Sequence, residues 1–441
     1  MLVSLLLLGF SALQSSTGDI STWASLMPRH ATPQRGFDLP KVSALRPLLR
    51  DRSAVMAERI SALKALAYLE ASLTYSELKA MKRSVHASDA LVAYVRCLTH
   101  CGEDARPALT KYMKDRSPEI RAEAVYGLVR YFGGGQRMAR EILADRKLHS
   151  YMRVAAIRGL ADSDLAMAQI EIMRRITSES EEVLIECLEI LRRDLNPDHI
   201  KLLIEVLAMG RSRATNEAAA MLVQITGYRI GNNYRSWRLA YLRHKAEGTV
   251  MRASKQATGQ LRTVAYMGIP IFSDNICFVL DSSSSMTARM SERKRMTRAM
   301  KVIEEFEKML PILPSTAAFN IVFFESLIHV MYDELTPVNA GTKEYAAAFV
   351  STNNFAGGTD LFGGISRAFE LENIEEIIVL SDGEPSVGEF KVPWEIMLEI
   401  ERLNRWRNVR ISSISFSAPP VAENLMYMIA AHNLGHFRDI D

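Results

Sequence analysis

A chain of 441 residues exceeds what one ordinary hydrophobic core supports, so two or three domains are expected. With 54 basic against 51 acidic residues and a net charge of +3, it lacks the strong basic bias of a nucleic-acid-binding surface, and no nucleic-acid partner is expected. Its 48% hydrophobic and 24% charged residues are those of a folded globular protein, and four cysteines are too few for a disulfide scaffold.

The sequence opens on MLVSLLLLGFSALQSSTGD, an apolar stretch of about a dozen residues followed by small polar ones. That is too short to span a bilayer and has the shape of a signal-peptide core. A signal peptide over residues 1–16 is therefore expected, with export to the periplasm, the cell surface or the medium. The competing readings are a mis-set start codon or an apolar N-terminal helix docked on its own domain, and the alternative location is cytoplasmic. No other segment reaches transmembrane length, so no span is expected in the mature chain. Residues 17–49 read as an N-terminal extension.

Residues 50–245 are rich in Ala, Leu, Arg and Glu and repeat. The segments ISALKAL, YVRCL, VYGL, IRGL, LEIL and AAML align on Leu66, Leu98, Leu128, Leu160, Leu191 and Leu222, in steps of 32, 30, 32, 31 and 31 residues. That period suits a helix, a turn and a second helix, stacked so that each pair covers the apolar stripe of the next. The units SPEIRAEAVYGLVRYF and HSYMRVAAIRGLADSD resemble HEAT-type repeats, which implies an all-α solenoid. The stretch LVQITGYRIGNNYRSWRLAYLRHK departs from the pattern: Gly227 and Gly231 break the helix, and Trp237 begins a last aromatic helix that caps the array. Cys97 and Cys101 flank His100 in CLTHC, but a zinc site needs four ligands and no second pair follows, so both read as core thiols. No chemistry is assigned to this half.

Residues 246–269 read as a linker. From residue 270 to 441 short apolar strands alternate with helices. NICFVLD is a strand, ERKRMTRAMKVIEEFEKML a helix, AFNIVFFES and IHVMYDE strands, and TKEYAAAFVST a helix. LFGGISRAFEL is a helix, EEIIVLSDG a strand, WEIMLEIERLNRW a helix and RISSISFS a strand, before the helix NLMYMIAAHN and the strand GHFRDI. This alternation predicts a doubly wound, Rossmann-like α/β domain with a mostly parallel sheet covered on both faces. Ligands of such sheets bind beyond the carboxyl ends of the strands. Asp281 and Asp382 both fall there.

With them go Ser283 and Ser285 from DSSSSM and Thr359 from FAGGTDL. All five are oxygen donors, a set suited to a hard divalent cation, Mg²⁺ or Mn²⁺. Two carboxylates and three hydroxyls leave at least one of six positions for water or an incoming ligand. Asp360 reads as a helix cap or a supporting group and Glu384 as a rim residue.

DSSSSM, GGTDL and LSDGEPSVG, followed by NLMYMIAAHNLGHF, resemble the three loops and the closing helix and strand of a von Willebrand factor type A domain, over roughly residues 270–441. The resemblance implies a metal-ion-dependent adhesion site. Ser283 and Ser285 would bind the ion directly, Thr359 directly when a ligand is engaged, and Asp281 and Asp382 directly or through water. It implies a protein partner that donates an Asp or Glu carboxylate to the metal. Ser284 stands where that family usually has glycine, and a positive φ there would cost a non-glycine residue about 1 kcal/mol and loosen the site. The pairing of HEAT-like repeats with such a domain, and the run YMGIPIFSDNICFVLD, resemble proteins of planctomycete-like bacteria.

The expected function is a non-enzymatic, metal-dependent protein-binding module on a helical-repeat scaffold. Two other readings compete. In one, the same domain serves a cytoplasmic assembly factor beside a separate ATPase. In the other, a serine of the comb works with His432 or His436, or the metal activates a water, in a hydrolase.

Overall fold

The computed structural model describes residues 40–440 apart from 52, 84, 86, 87, 253–263, 292 and 293. The expected signal peptide and most of the N-terminal extension lie outside the described residues.

The first half is helical. Its α-helices are α1 (Val42–Leu48), α2 (Met56–Tyr68), α3 (Tyr75–Lys79), α4 (Ser88–Leu98), α5 (Arg106–Tyr112) and α6 (Pro118–Tyr131). There follow α7 (Gly135–Ala144), α8 (Ser150–Ser163), α9 (Leu165–Arg175), α10 (Glu181–Arg192), α11 (Ile200–Leu207), α12 (Ser212–Thr226) and α13 (Tyr234–Glu247). The repeating leucines fall on every second helix, α2, α4, α6, α8, α10 and α12, and all are buried. These helices pack on one another in succession, as stacked pairs require. Local chemistry sets the boundaries. Ser117 accepts the Ile120 N–H ahead of Pro118, and Asp164 accepts the Met167 N–H. Gly227, at φ +74°, ends α12, and the buried Trp237 donates its indole N–H to the Gly231 carbonyl at 2.7 Å, closing the array as expected. Cys97 is buried, and the Cys101 thiol is spent on the Cys97 carbonyl at 3.3 Å.

The second half is α/β. A short hairpin, β1 (Ala265–Tyr266) and β2 (Ile269–Pro270), leads into β3 (Asn275–Asp281), a second hairpin β4 (Arg289–Ser291) and β5 (Lys294–Thr297), and α14 (Arg298–Met309). Then come β6 (Ala318–Phe324), β7 (Ile328–Val330), β8 (Thr336–Pro337), α15 (Ala340–Ser351) and α16 (Leu361–Phe369). The chain closes with β9 (Glu376–Ser381), α17 (Pro393–Asn404), β10 (Arg410–Phe416), α18 (Pro420–His432) and β11 (Phe437–Ile440). The strand order is β11-β10-β9-β3-β6-β7; the first five are parallel, and β7 and β8 run antiparallel to β6. Alternate residues of β3 serve two cores: Ile276, Phe278 and Leu280 pack towards α14 and α15, Cys277 and Val279 towards α16, α17 and α18.

Three sequence expectations are corrected. The helix expected to begin at ERKRMT begins at Arg298: in a helix Lys294 and Arg298 would be a like-charged i,i+4 pair, and Thr297 instead caps the helix by accepting the Met300 N–H. IHVMYDE is a strand only at Ile328–Val330, because the Asn320 side chain takes the Tyr332 and Glu334 carbonyls that a ladder would otherwise use. The linker is shorter than 246–269. Tyr266 is fully buried edge-on against Phe278 and Phe306, so this stretch belongs to the α/β core.

The two halves meet through charges that follow the repeat register. Lys64, Arg96 and Arg158 each stand two residues before a repeat leucine, and Glu123, Glu186 and Glu217 each stand five before one. Those two positions, three apart, share a helix face turned away from the leucine stripe. Lys64 pairs with Glu399 at 2.9 Å, Arg96 with Glu401 at 2.7 Å, Glu123 with Arg405 at 2.5 Å, and Glu217 with Arg410. Arg158 grips Glu186 with two bonds of 3.0 and 2.6 Å and donates to the Arg405 carbonyl at 2.7 Å, while Trp406 lies under both guanidinium groups.

Two predictions follow from this seat. Arg158→Ala takes two charge-assisted bonds from the buried Glu186 and is expected to destabilise the protein by about 3–5 kcal/mol in denaturant unfolding. Burial alone would raise the Glu401 carboxyl, but Arg96 and Arg405 outweigh it and hold it down at about 2. A depressed carboxyl stabilises fully above its unfolded value and loses that contribution as pH falls. Stability is therefore expected to drop from about pH 4.5 towards 2, with a shallower drop in Glu401→Gln, read from unfolding midpoints against pH.

Candidate functional site

Three loops emerge at the carboxyl edge of the sheet. Parallel pairing of β3 with β9 sets Leu280 opposite Leu380, so Asp281 and Ser381 end as neighbours. Asp281 is fully buried. One carboxylate oxygen accepts the Ser283 N–H at 2.8 Å, and the other accepts the Ser381 hydroxyl at 2.6 Å. Burial pushes this carboxyl up to about 6, against the pull of the Ser283 and Ser381 hydrogen bonds and aided by the nearby Asp382 charge.

Beyond Asp281 the chain makes a 3₁₀ turn, Ser284–Thr287. The Ser283 and Ser285 hydroxyl oxygens are 2.9 Å apart, and the Ser285 hydroxyl donates to Asp382 Oδ1 at 2.6 Å. Ser284 has no positive φ, so the conformational cost expected of a non-glycine residue there does not arise. Its hydroxyl and N–H instead meet the Gly357 carbonyl at 3.1 and 3.2 Å, stapling the first loop to the second. Left-handed geometry falls on Gly357, at φ +78°.

The second loop presents Thr359, which is buried. Its N–H donates to Ser386 Oγ at 2.9 Å, tying it to the third loop. A Cβ added at Gly383 would lie 3.7 Å from Ser285 Oγ and 3.9 Å from Thr359 Oγ1, so both hydroxyls close on the same small space. All five predicted residues are thus brought together. Asp360 caps α16 by accepting the Gly363 N–H at 2.9 Å, and Glu384 is exposed at the rim, both as expected.

The arrangement fits a hard cation. Neighbouring ligands of an octahedral ion with bonds of about 2.1 Å stand about 3 Å apart. The spacings along Ser283, Ser285 and Asp382, 2.9 and 2.6 Å, are close to that edge length. Asp281, Asp382 and Thr359 are buried while Ser285 is exposed, so access is from the Ser285 side. Among the described residues no group of three or more His, Cys, Asp or Glu side chains gathers in metal-binding fashion; here hydroxyls supply three of the five donor side chains.

Three residues of the site were missed in the sequence. Ser381 and Ser386 hold Asp281 and Thr359, and only the strand register and loop packing reveal them. Arg298, the first residue of α14, donates to Asp382 Oδ2 at 2.5 Å. It was hidden within a segment read as mid-helix. His432 and His436 are at the opposite edge of the sheet. His436 stacks on Phe272, which precedes β3, so a strand of about 20 Å separates it from the serine comb.

The sequence profile of the von Willebrand factor type A domain matches residues 274–433. Inter-alpha-trypsin inhibitor heavy chain H1 of Mesocricetus auratus is 30% identical over 132 residues, 26% of this chain and 13% of that one. Heavy chain H4 of Homo sapiens is 29% identical over 134 residues, 28% and 14% of the two chains. The match therefore spans about one seventh of these relatives. Among solved structures, a von Willebrand factor type A protein from Catenulispora acidiphila aligns at 19% identity and a TM-score of 0.32, covering 39% of this chain and 40% of that one. The PilB minor pilin from Streptococcus sanguinis aligns at 15% identity and a TM-score of 0.31, covering 39% and 58%. With its family profile matched and its three loops converging at the carboxyl edge of the sheet, the segment 274–433 is a von Willebrand factor type A domain, set behind an all-helical region.

Proposed function

We propose that the chain is a metal-dependent protein-binding module, non-enzymatic and exported, whose type A domain is presented on a helical-repeat scaffold. One observation carries the reading: the bonded run from Ser283 through Ser285 to Asp382 Oδ1, at ligand-edge spacing, with Asp281 and Thr359 held beside it. The Ser283 and Ser285 hydroxyls and Asp382 Oδ1 would hold Mg²⁺ or Mn²⁺, and Asp281 and Thr359 would support it directly or through water. Such an ion offers a partner's Asp or Glu carboxylate a hard Lewis-acid contact.

The protein's own groups favour that partner chemistry. Ser284, Ser285 and Thr287 are exposed around the opening, and Arg289 is exposed on the hairpin that leaves the loop, where it attracts an approaching carboxylate. The seat on the helical repeats uses α17, the turn after it and the starts of β9 and β10, so the loops are left clear of it. The distance of His432 and His436 from the comb supports a binding role over serine catalysis. Among the described residues no helix is long and apolar enough to cross a membrane. Export rests on the apolar run at 1–16, and N-terminal sequencing of the protein from its native cell is expected to begin beyond it.

Calorimetric titration of the full chain with Mg²⁺ and with Mn²⁺ should give saturable heat. Ser285→Ala, which removes one hydroxyl ligand and its hydrogen bond to Asp382, should weaken it at least tenfold while lowering the unfolding free energy by no more than about 1–3 kcal/mol. Absence of heat with either ion would refute the metal reading.

A further inference from the structure

Arg298 is an odd choice for its position. As the first residue of α14 it places a cation at the positive end of the helix dipole, where an acidic residue is favoured. Its backbone N–H is anchored on the Ala288 carbonyl at 3.1 Å, which fixes it at the point where the β4–β5 hairpin closes. From there the side chain, itself only 17% exposed, reaches the fully buried Asp382. A buried carboxylate without a partner is costly, and among the described contacts Arg298 is the one cation on it.

We propose that Arg298 is a built-in counter-ion that holds the three-loop site together without metal and keeps its affinity for divalent cations low. The inference rests on the metal-site reading above. Asp382 uses Oδ1 for Ser285 and Oδ2 for Arg298, so its two oxygens serve two different cation positions. A dication at Oδ1 would stand within about 5 Å of the guanidinium, where like charges repel strongly in a partly buried setting. Metal loading therefore works against Arg298, and Arg298 tunes the concentration at which the module switches on.

The test is calorimetric titration of Mn²⁺ into the full chain, comparing the parent with Arg298→Gln and Arg298→Lys, each also carrying Ser285→Ala to locate the binding. Arg298→Gln should bind at least tenfold more tightly than the parent, with the gain lost when Ser285→Ala is added, while Arg298→Lys stays near the parent value. Without metal, Arg298→Gln should unfold at a lower temperature, and Mn²⁺ should raise its midpoint more than that of the parent. Should Arg298→Gln fail to fold without metal, Arg298→Met, which keeps the aliphatic stem, provides the same comparison. Equal or weaker binding by the neutral variants, with heat in the parent, overturns the inference and leaves the metal reading standing. Heat in none of the proteins overturns both. Heat in the neutral variant alone upholds Arg298 as the blocking cation and overturns the metal reading for the native chain.

Discussion

Parallel pairing between β3 and β9 is the constraint on which the site depends. Because Leu280 sits opposite Leu380, the polar residues that end the two strands, Asp281 and Ser381, emerge side by side, and the Ser381 hydroxyl closes on the Asp281 carboxylate. A slip of one residue would turn every side chain to the opposite face. The ladder itself is held by apolar residues on both faces, so the polar edge is located by a core that has no part in its chemistry.

Two buried carboxylates share that edge and are stabilised in different ways. Asp281 is held by hydrogen bonds from a backbone amide and a hydroxyl, and its burial raises the carboxyl to about 6. Asp382 has a guanidinium on one oxygen and a hydroxyl on the other. A site built from one neutralised carboxylate and one merely solvated by dipoles holds its shape while keeping hydroxyl oxygens available to a cation. The converse logic governs the seat between the two halves. There, guanidinium and carboxylate groups are matched along the repeat, Arg158 with Glu186 and Arg405 with Glu123, and the ions are committed to each other rather than to a ligand.

The seat also gives the helical half a role that its composition conceals. The face of α2, α4, α6, α8, α10 and α12 opposite the leucine stripe carries at least one charged group per repeat, at two fixed offsets from the leucines. That pattern is present in the sequence. Its meaning is not, because a charged residue at a regular helical offset is most simply a solvated face. Only the position of Glu399, Glu401, Arg405 and Arg410 on the other half shows that these charges are paired and removed from water.

Short-range patterns made much of the molecule legible. The spacing of Leu66 to Leu222 determined stacked helix pairs, since one pair alone cannot bury its stripe. The switch to alternating strands and helices determined a parallel sheet, and the run D-x-S-x-S with Thr359 and Asp382 picked out the loops, since strand ends in such sheets share one edge. Tertiary structure decided the rest. Whether Ser284 needed a left-handed backbone, which hydroxyls support Asp281 and Thr359, and that Arg298 lies on Asp382 depend on contacts between residues 27 to 100 positions apart. Local propensity and periodicity carry no information about such partners, because the free energy that selects them is that of burying charged and polar groups together, which exists only once the chain has closed around them.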